Sequence, residues 1–373
     1  MTLRPEEGIT KLLLSTPSRF TGEYGCDGLL FTHAWPSGPR QAQGNLGLIE
    51  NPMSCNYFVL ALETPPHDRT KTIVVPNYTP RGDVIAIYLS SLFGKRFDNH
   101  GRIESNGQFY LPHIDHGMAP CNASLPFNSH KPRCDLELPL NLSEMGRITR
   151  LLSDEQLDVK FLQILRSAGR FYLHALQEAE ADPEVAFLDL ITCGEILSNF
   201  WPYEQDDLLE DTLKNDLARV SSEIEGGEAI ASRIRGRLYQ VRWKFTAAVL
   251  RLLSSTFFEH TEATQQFRAL KAEDIGTRIK AAYDLRSRYV HTGLDFGNWV
   301  FRDSADLEEI RTGEPVVDDK DLRKLLVRSP TLCGLERIMR FCLLRFIHLN
   351  GCGIDPSLDG EGMSNKAMDS DEE

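Results

Sequence analysis

Residues 282–293 read AYDLRSRYVHTG, and no other stretch says as much about both the fold and the site. It is typical of the last turns of a helix, because Gly293 stands where a left-handed C-cap favours glycine. The predicted helix, from about Asp274, carries Arg286 and, five residues later, His291. Histidine transfers protons near neutral pH, and arginine is a fixed cation that binds phosphate. The stretch therefore predicts a site that combines these two groups near one end of a helix.

The sequence on both sides of this stretch, over residues 149–352, is predicted to be helical. A capping box at residues 153–156 predicts the start of a first helix, and Asp182-Pro183 predicts the start of a second. Further helices are predicted at residues 208–220, 229–258 and 332–349. Five or six helices without a strand pattern indicate an all-α bundle. Residues 353–373 are acidic and poor in apolar side chains, so we expect a disordered tail.

The first 148 residues have a different, mixed pattern. Residues 57–62 and 71–75 are rich in apolar residues and end at proline, which is typical of strands. A helix is predicted at residues 84–93, ended by Gly94, and a hairpin turn at Asn106-Gly107. The predicted fold class is thus mostly α, with an all-α C-terminal bundle preceded by a smaller α+β N-terminal domain at residues 1–148.

The composition is that of an ordinary soluble protein, with 41% hydrophobic and 25% charged residues in 373. No stretch approaches the roughly 20 apolar residues that cross a bilayer, so no membrane partner is expected. The N-terminus lacks the layout of a signal peptide. The eight cysteines are scattered along the chain, which favours reduced thiols and a cytoplasmic location.

Charge is unevenly distributed along the chain. The net charge of -13 argues against nonspecific coating of nucleic acid. Residues 204–228 are acidic, whereas residues 229–291 contain twelve Lys and Arg against five Asp and Glu. Two interpretations stay open for this basic segment. Its charges are either paired along helix faces or they form the positive surface that an RNA site requires.

The stretch at residues 283–293, together with Gly194-Glu195-Ile196-Leu197 on an upstream helix, resembles the HEPN superfamily and its ApeA-like branch. The family motif is an arginine, usually a polar residue, and a histidine four to six positions past the arginine. Arg286, Ser287 and His291 fit it, although the family prefers Asn, Asp or His where this chain has Ser287. The resemblance covers roughly residues 150–350.

This resemblance implies a homodimer whose two Arg–His motifs form one cleft that cuts RNA without a metal or other cofactor. His291 would move protons to or from the ribose 2′-hydroxyl and the leaving oxygen, and Arg286 would stabilise the transition state. Glu195 is expected to orient one of these two catalytic side chains. Arg288 and Ser287 are the expected RNA contacts. Residues 1–148 would sense an activating ligand or protein and so gate a defence or toxin activity.

Two other functions remain open. One is a non-catalytic HEPN scaffold for dimerisation or partner binding, in which the motif is vestigial. The other is a nucleotide sensor that controls a separate effector. A further constellation has ligand-like spacing, but its mixed residue types in a turn-rich region lead us to expect no metal. It comprises His113, His116, Cys121, His130 and Cys134.

Overall fold

The computed structural model describes residues 8–34, 56–65, 76–113, 121–153, 157–203, 209, 211–237, 241–301 and 306–363. Within these ranges it combines a small antiparallel sheet near the N-terminus with a larger set of helices. The mostly α fold class, with strands confined to the N-terminal part, is therefore confirmed. In the described part of the chain, no helix is both long enough and apolar enough to span a membrane.

The sheet has six strands in the order β2-β3-β4-β1-β5-β6, all paired antiparallel. The predicted strand at residues 57–62 is confirmed within β4, whereas residues 66–75, with the other predicted strand, lie outside the described residues. No strand was predicted at β1, β2 or β3. The strands are β1 Gly8–Thr16, β2 Tyr24–Cys26, β3 Leu29–His33, β4 Asn56–Thr64, β5 Asp98–Ser105 and β6 Gln108–Phe109.

The predicted turn at Asn106-Gly107 joins β5 to β6. Both residues have positive φ, 49° and 77°, which is the backbone that a two-residue hairpin turn needs. The residues on either side, Ser105 and Gln108, are paired across the ladder. The hairpin prediction is confirmed.

Nine helices follow α1, Thr79–Phe93, in the described part of the chain. Gly94 ends α1 with φ 62°, as predicted, although the helix starts five residues earlier than expected. The others are α2 Thr149–Leu152, α3 Val159–Glu178, α4 Pro183–Ser198, α5 Asp211–Glu223, α6 Gly227–Arg237, α7 Val241–Leu252, α8 Ile275–Thr292, α9 Lys320–Arg328 and α10 Leu332–Ile347.

Other helix boundaries also differ from the prediction. The capping box at Ser153 was wrong: Ser153 ends α2, and Asp158 caps α3 by accepting a 2.7 Å hydrogen bond from the Phe161 amide. Residues 154–156 of that box lie outside the described residues. The helix predicted to reach residue 258 ends at Leu252, because the backbone becomes extended at Ser254. The start of α4 at Asp182-Pro183 is confirmed, and α9 was not predicted.

One hydrophobic core extends across both halves of the chain. Its buried members include Leu60 from the sheet, Leu89 from α1, Leu165 from α3 and Leu343 from α10. Helix α1 contacts both the sheet and α3, so it lies between the two layers. Apolar side chains from both sides of residue 148 share this core. The division of the chain into domains at that residue stays a prediction.

Residues 353–363, which were predicted to belong to a disordered tail, pack against the helices. Ile354 and Leu358 are buried, and Arg345 of α10 donates a 3.0 Å hydrogen bond from Nε to the carbonyl of Leu358. Arg147 forms a 3.1 Å ion pair with Asp355. Two apolar side chains thus give this acidic segment a place in the core. Residues 364–373 lie outside the described part.

Buried ion pairs connect the same two halves. The guanidinium of Arg133 lies 2.6 Å from Glu336 of α10 and 2.7 Å from Glu262, and all three side chains are buried or nearly so. Tyr172 of α3 donates a 2.6 Å hydrogen bond to Glu336. A second buried pairing joins Asp135 to Arg337 of α10 at 2.8 Å. Each of these buried charges has a partner of opposite charge. Removing one member of a pair would leave the other charge buried without a partner, which costs stability.

The pairing of Glu262 predicts a specific loss of stability in acid. Burial alone would raise the pKa of Glu262, but the charge and hydrogen bond of Arg133 outweigh it and lower the pKa to about 2. Because the pKa is lower in the folded chain, Glu262 stabilises the fold above its unfolded pKa of about 4.3 and loses this contribution as the pH falls toward 2. Urea unfolding from pH 6 to 2.5 should show the stability gap between wild type and Glu262→Gln narrowing. A difference in the free energy of unfolding between the two proteins that stays constant over this pH range would contradict the lowered pKa of Glu262.

Candidate functional site

Helix α8 carries the residues singled out from the sequence. Its apolar face, with Ile279, Ala282 and Leu285 buried, packs toward α4 and α7. The helix ends at Thr292, and Gly293 adopts a left-handed φ of 67° while its amide donates a 2.8 Å hydrogen bond to the carbonyl of Tyr289. The predicted helix end and C-cap are confirmed.

The structure brings Arg286 and Glu195 together, although 91 residues separate them in the sequence. Nη2 of Arg286 lies 3.4 Å from a carboxylate oxygen of Glu195 on α4, with 27% and 18% of the two side chains exposed. The guanidinium carbon of Arg286 lies 6.0 Å from the ring centroid of Tyr283, one turn earlier on α8. Burial and the charge of Glu195 raise the pKa of Tyr283, so the phenol keeps its proton. Glu195 therefore holds Arg286 while part of the arginine side chain faces solvent.

A glycine next to Glu195 sets the spacing of the helices at this point. A Cβ at Gly194 would collide with the ring of Phe245 on α7. The ring of Phe245 in turn lies 5.6 Å, centroid to centroid, from Tyr283. This close packing of α4, α7 and α8 fixes the position of the Tyr283 ring.

His291 lies in the last turn of α8 and is exposed. Its neighbours Val290 and Leu294 are also exposed, by 56% and 46%. Five residues of an α-helix turn the direction of a side chain by about 140° and advance it by about 7.5 Å. Arg286 and His291 of one chain thus leave α8 on different sides, and nothing in the described residues pairs the imidazole with Glu195.

The expected RNA contacts have different surroundings. Arg288 forms an ion pair with Asp319, which also caps α9, so its charge is balanced within the chain. Hydrogen bonds from the backbone of Leu322 and Asp321 lower the pKa of Asp319, which keeps this partner ionised. Ser287 is half-buried on α8.

Many arginines of the basic segment at residues 229–291 pair with carboxylates, which supports the interpretation of paired helix faces for these positions. Several of the acidic partners come from outside the segment. The excess of basic over acidic residues within positions 229–291 is therefore larger than the net positive charge at this surface. The pairs are Arg242–Asp284, Arg268–Glu308, Arg278–Asp274, Arg286–Glu195 and Arg288–Asp319.

Sequence reasoning missed two residues that shape this site. Tyr283 lies three residues before Arg286, on the same face of α8, and this spacing could have identified it. Asp319 precedes α9, far from Arg288 in the sequence, and no local signal connects it to that arginine. Both residues hold the charged side chains of α8 in place.

The histidines and cysteines that were considered as metal ligands are only partly described. His116 lies outside the described residues, and Cys121 is buried. Burial and the nearby charge of Asp135 raise the pKa of the Cys134 thiol, which opposes the thiolate that a metal needs. Within the described residues, no three His, Cys, Asp or Glu side chains group closely enough to hold a metal ion.

Comparisons of the chain with protein-family models, with curated proteins and with solved structures found no match.

Proposed function

We propose that this protein is a metal-independent endoribonuclease of the HEPN type. The proposal depends above all on Arg286, a partly exposed arginine that Glu195 holds in place, five residues before the exposed His291 at the end of α8. A fixed guanidinium suits a phosphate whose negative charge grows in the transition state. An exposed imidazole suits proton transfer to and from a bound substrate.

The active unit in this proposal is a homodimer. Arg286 and His291 of one chain diverge around α8, so two chains related by a two-fold axis would supply a complete set of groups on each side of the RNA. The exposed apolar side chains of Val290 and Leu294, beside His291, are the kind of surface that a second copy would cover.

The reaction would proceed by internal attack. His291 takes the proton from a ribose 2′-hydroxyl, and the oxygen attacks the adjacent phosphorus atom. Arg286 stabilises the additional charge on the phosphoryl oxygens. His291 of the partner subunit gives a proton to the 5′-oxygen as its bond to phosphorus breaks. The products are a 2′,3′-cyclic phosphate and a 5′-hydroxyl, which is the chemistry expected of a defence or toxin nuclease acting in the cytoplasm. Residues 1–148 would gate it.

A non-catalytic scaffold is the second candidate. It is favoured by the ion pairs that Arg286 and Arg288 make within the chain, since each carboxylate reduces the charge available to a phosphate. A scaffold would still use the apolar surface at Val290 and Leu294 for dimerisation. It would need neither the guanidinium nor the imidazole to be free.

Mapping of RNA ends distinguishes the two candidates. RNA from cells that express the full chain should contain new 2′,3′-cyclic phosphate ends, and these should disappear with His291→Ala. His260→Ala is a matched control, because it removes another exposed imidazole outside α8. Cleavage by the purified protein should persist in a metal chelator. Identical end profiles for wild type and His291→Ala would favour the scaffold.

A further inference from the structure

A row of cations lies on the exposed face of α9, the helix that packs beside α8. The apolar side chains of Leu322 and Leu326 are buried in the core. On the opposite face Lys320, Lys324 and Arg328 are exposed. They follow each other at intervals of four residues, so they form one row that is about 12 Å long. These three side chains are the basic row.

The position of α9 places the start of the basic row at the end of α8 that carries His291. Arg288, near the C-terminal end of α8, pairs with Asp319 at the start of α9. Nη1 of Arg278, near the other end of α8, lies 3.4 Å from the carbonyl oxygen of Arg328 at the end of α9. The two helices are therefore antiparallel, and the basic row runs back along α8 from the candidate site.

The charges of the basic row remain free to meet a ligand. Among the described residues, none of its three cations forms an ion pair, in contrast to the three arginines of α8. Helix α9 has four Lys and Arg side chains against one carboxylate, that of the exposed Asp321, which leaves a net charge of +3. On a chain whose overall net charge is -13, such a face is a local attraction for a polyanion.

We propose that the basic row binds the sugar–phosphate backbone of single-stranded RNA and leads the strand to His291. This proposal rests on the nuclease function proposed above and names the form of RNA that the site receives. An RNA strand carries one negative charge per nucleotide, so successive phosphates can each meet a cation of the row. A flexible single strand can follow the row and still place one phosphate at His291. Helix α9 has no aromatic side chain on which bases could stack, so this contact should be independent of base sequence.

Binding of fluorescein-labelled oligouridine to the full-length protein, measured by fluorescence anisotropy, tests the proposal. His291→Ala serves as the parent protein, because it retains the basic row and leaves the RNA uncut. Replacing all three cations of the row by glutamine should weaken saturable binding at least about tenfold in physiological salt. The slope of log K against log salt should become shallower by about 2, because each phosphate contact to a single strand contributes about 0.7. Lys324→Gln alone should change the slope by about 0.7.

A matched control removes the same amount of positive charge from other elements of the fold. It replaces three exposed cations by glutamine, and its affinity for the RNA should stay within about twofold of the parent. These cations are Lys131, Arg170 and Arg251. Circular dichroism confirms that each variant is folded. The proposal is wrong if the parent does not bind the RNA, if the two triple variants lose affinity equally, or if polyglutamate displaces the labelled RNA as well as unlabelled RNA of the same charge does.

RNA cleavage by chains that retain His291 separates this result from a failure of the nuclease proposal. Loss of the basic row should raise the protein concentration needed for the half-maximal single-turnover rate at least about tenfold, because affinity falls by that factor. Cleavage with the same concentration dependence as wild type would overturn the basic row and leave the nuclease proposal in place. Binding that depends on the basic row, without any cleavage by wild type, would support the row and overturn the nuclease.

Discussion

Arg286→Ala is expected to lower the single-turnover rate constant of RNA cleavage by about 10²–10³-fold, the effect of removing one group that stabilises transition-state charge. The expectation rests on the position of Arg286, which contacts Glu195 and the ring of Tyr283 and keeps part of its side chain exposed. Substrate affinity should change much less than the rate, since the added negative charge exists only in the transition state. Rate constants measured over a range of protein concentrations separate the two quantities.

Two further variants show whether the effect belongs to this guanidinium. Glu195→Gln retains hydrogen bonding but loses the charge that holds Arg286, so a smaller loss, on the order of tenfold, is expected. Arg278→Ala removes an arginine of the same helix that pairs with Asp274 near the other end of α8, and its rate should match wild type. Equal rates for Arg286→Ala and Arg278→Ala would contradict a catalytic role for Arg286.

Arg133→Met is expected to reduce the free energy of unfolding by about 3–5 kcal/mol, because it leaves two buried carboxylates without a counter-charge. Glu336 and Glu262 both contact this guanidinium, which also donates a 2.9 Å hydrogen bond to the carbonyl of Gly94. Methionine fills much of the same space, so the loss reports charge more than packing. Urea unfolding at pH 7 measures it.

Arg147→Met is the matched control for this experiment. Arg147 also pairs with two carboxylates, those of Glu144 and Asp355, but 35% of its side chain is exposed. Water and salt screen such a pair, so its removal should cost no more than about 1 kcal/mol. Similar losses for Arg133→Met and Arg147→Met would show that the buried pairs contribute no more than surface pairs do.

Several local features of the fold could be predicted from the sequence because only a few adjacent residues decide them. Asp182-Pro183 begins α4, Gly293 ends α8, and Asn106-Gly107 turns between two strands. In each case the backbone angles or the capping hydrogen bond depend on the residue itself and its immediate neighbours.

Local signals were insufficient where two neighbouring residues compete for the same role. Ser153 and Asp158 both have a side chain that can cap a helix, and the structure uses Asp158 for α3 and ends α2 at Ser153.

The residues 353–363 have few apolar side chains, yet burial of Ile354 and Leu358 together with hydrogen bonds from Arg345 orders them. The contacts of residues 353–363 with distant helices decided this outcome.

The sequence by itself determined where several helices begin or end, the mostly α class, and the placement of Arg286 and His291 at the end of one helix. Only the tertiary structure decided which charges meet: Arg286 with Glu195, Arg288 with Asp319, and Arg133 with Glu336. Helix signals act over a few residues, whereas these ion pairs join side chains that are 31 to 203 positions apart. Such pairs form because folding brings distant elements of the chain side by side, and no periodicity or local spacing in the chain encodes that.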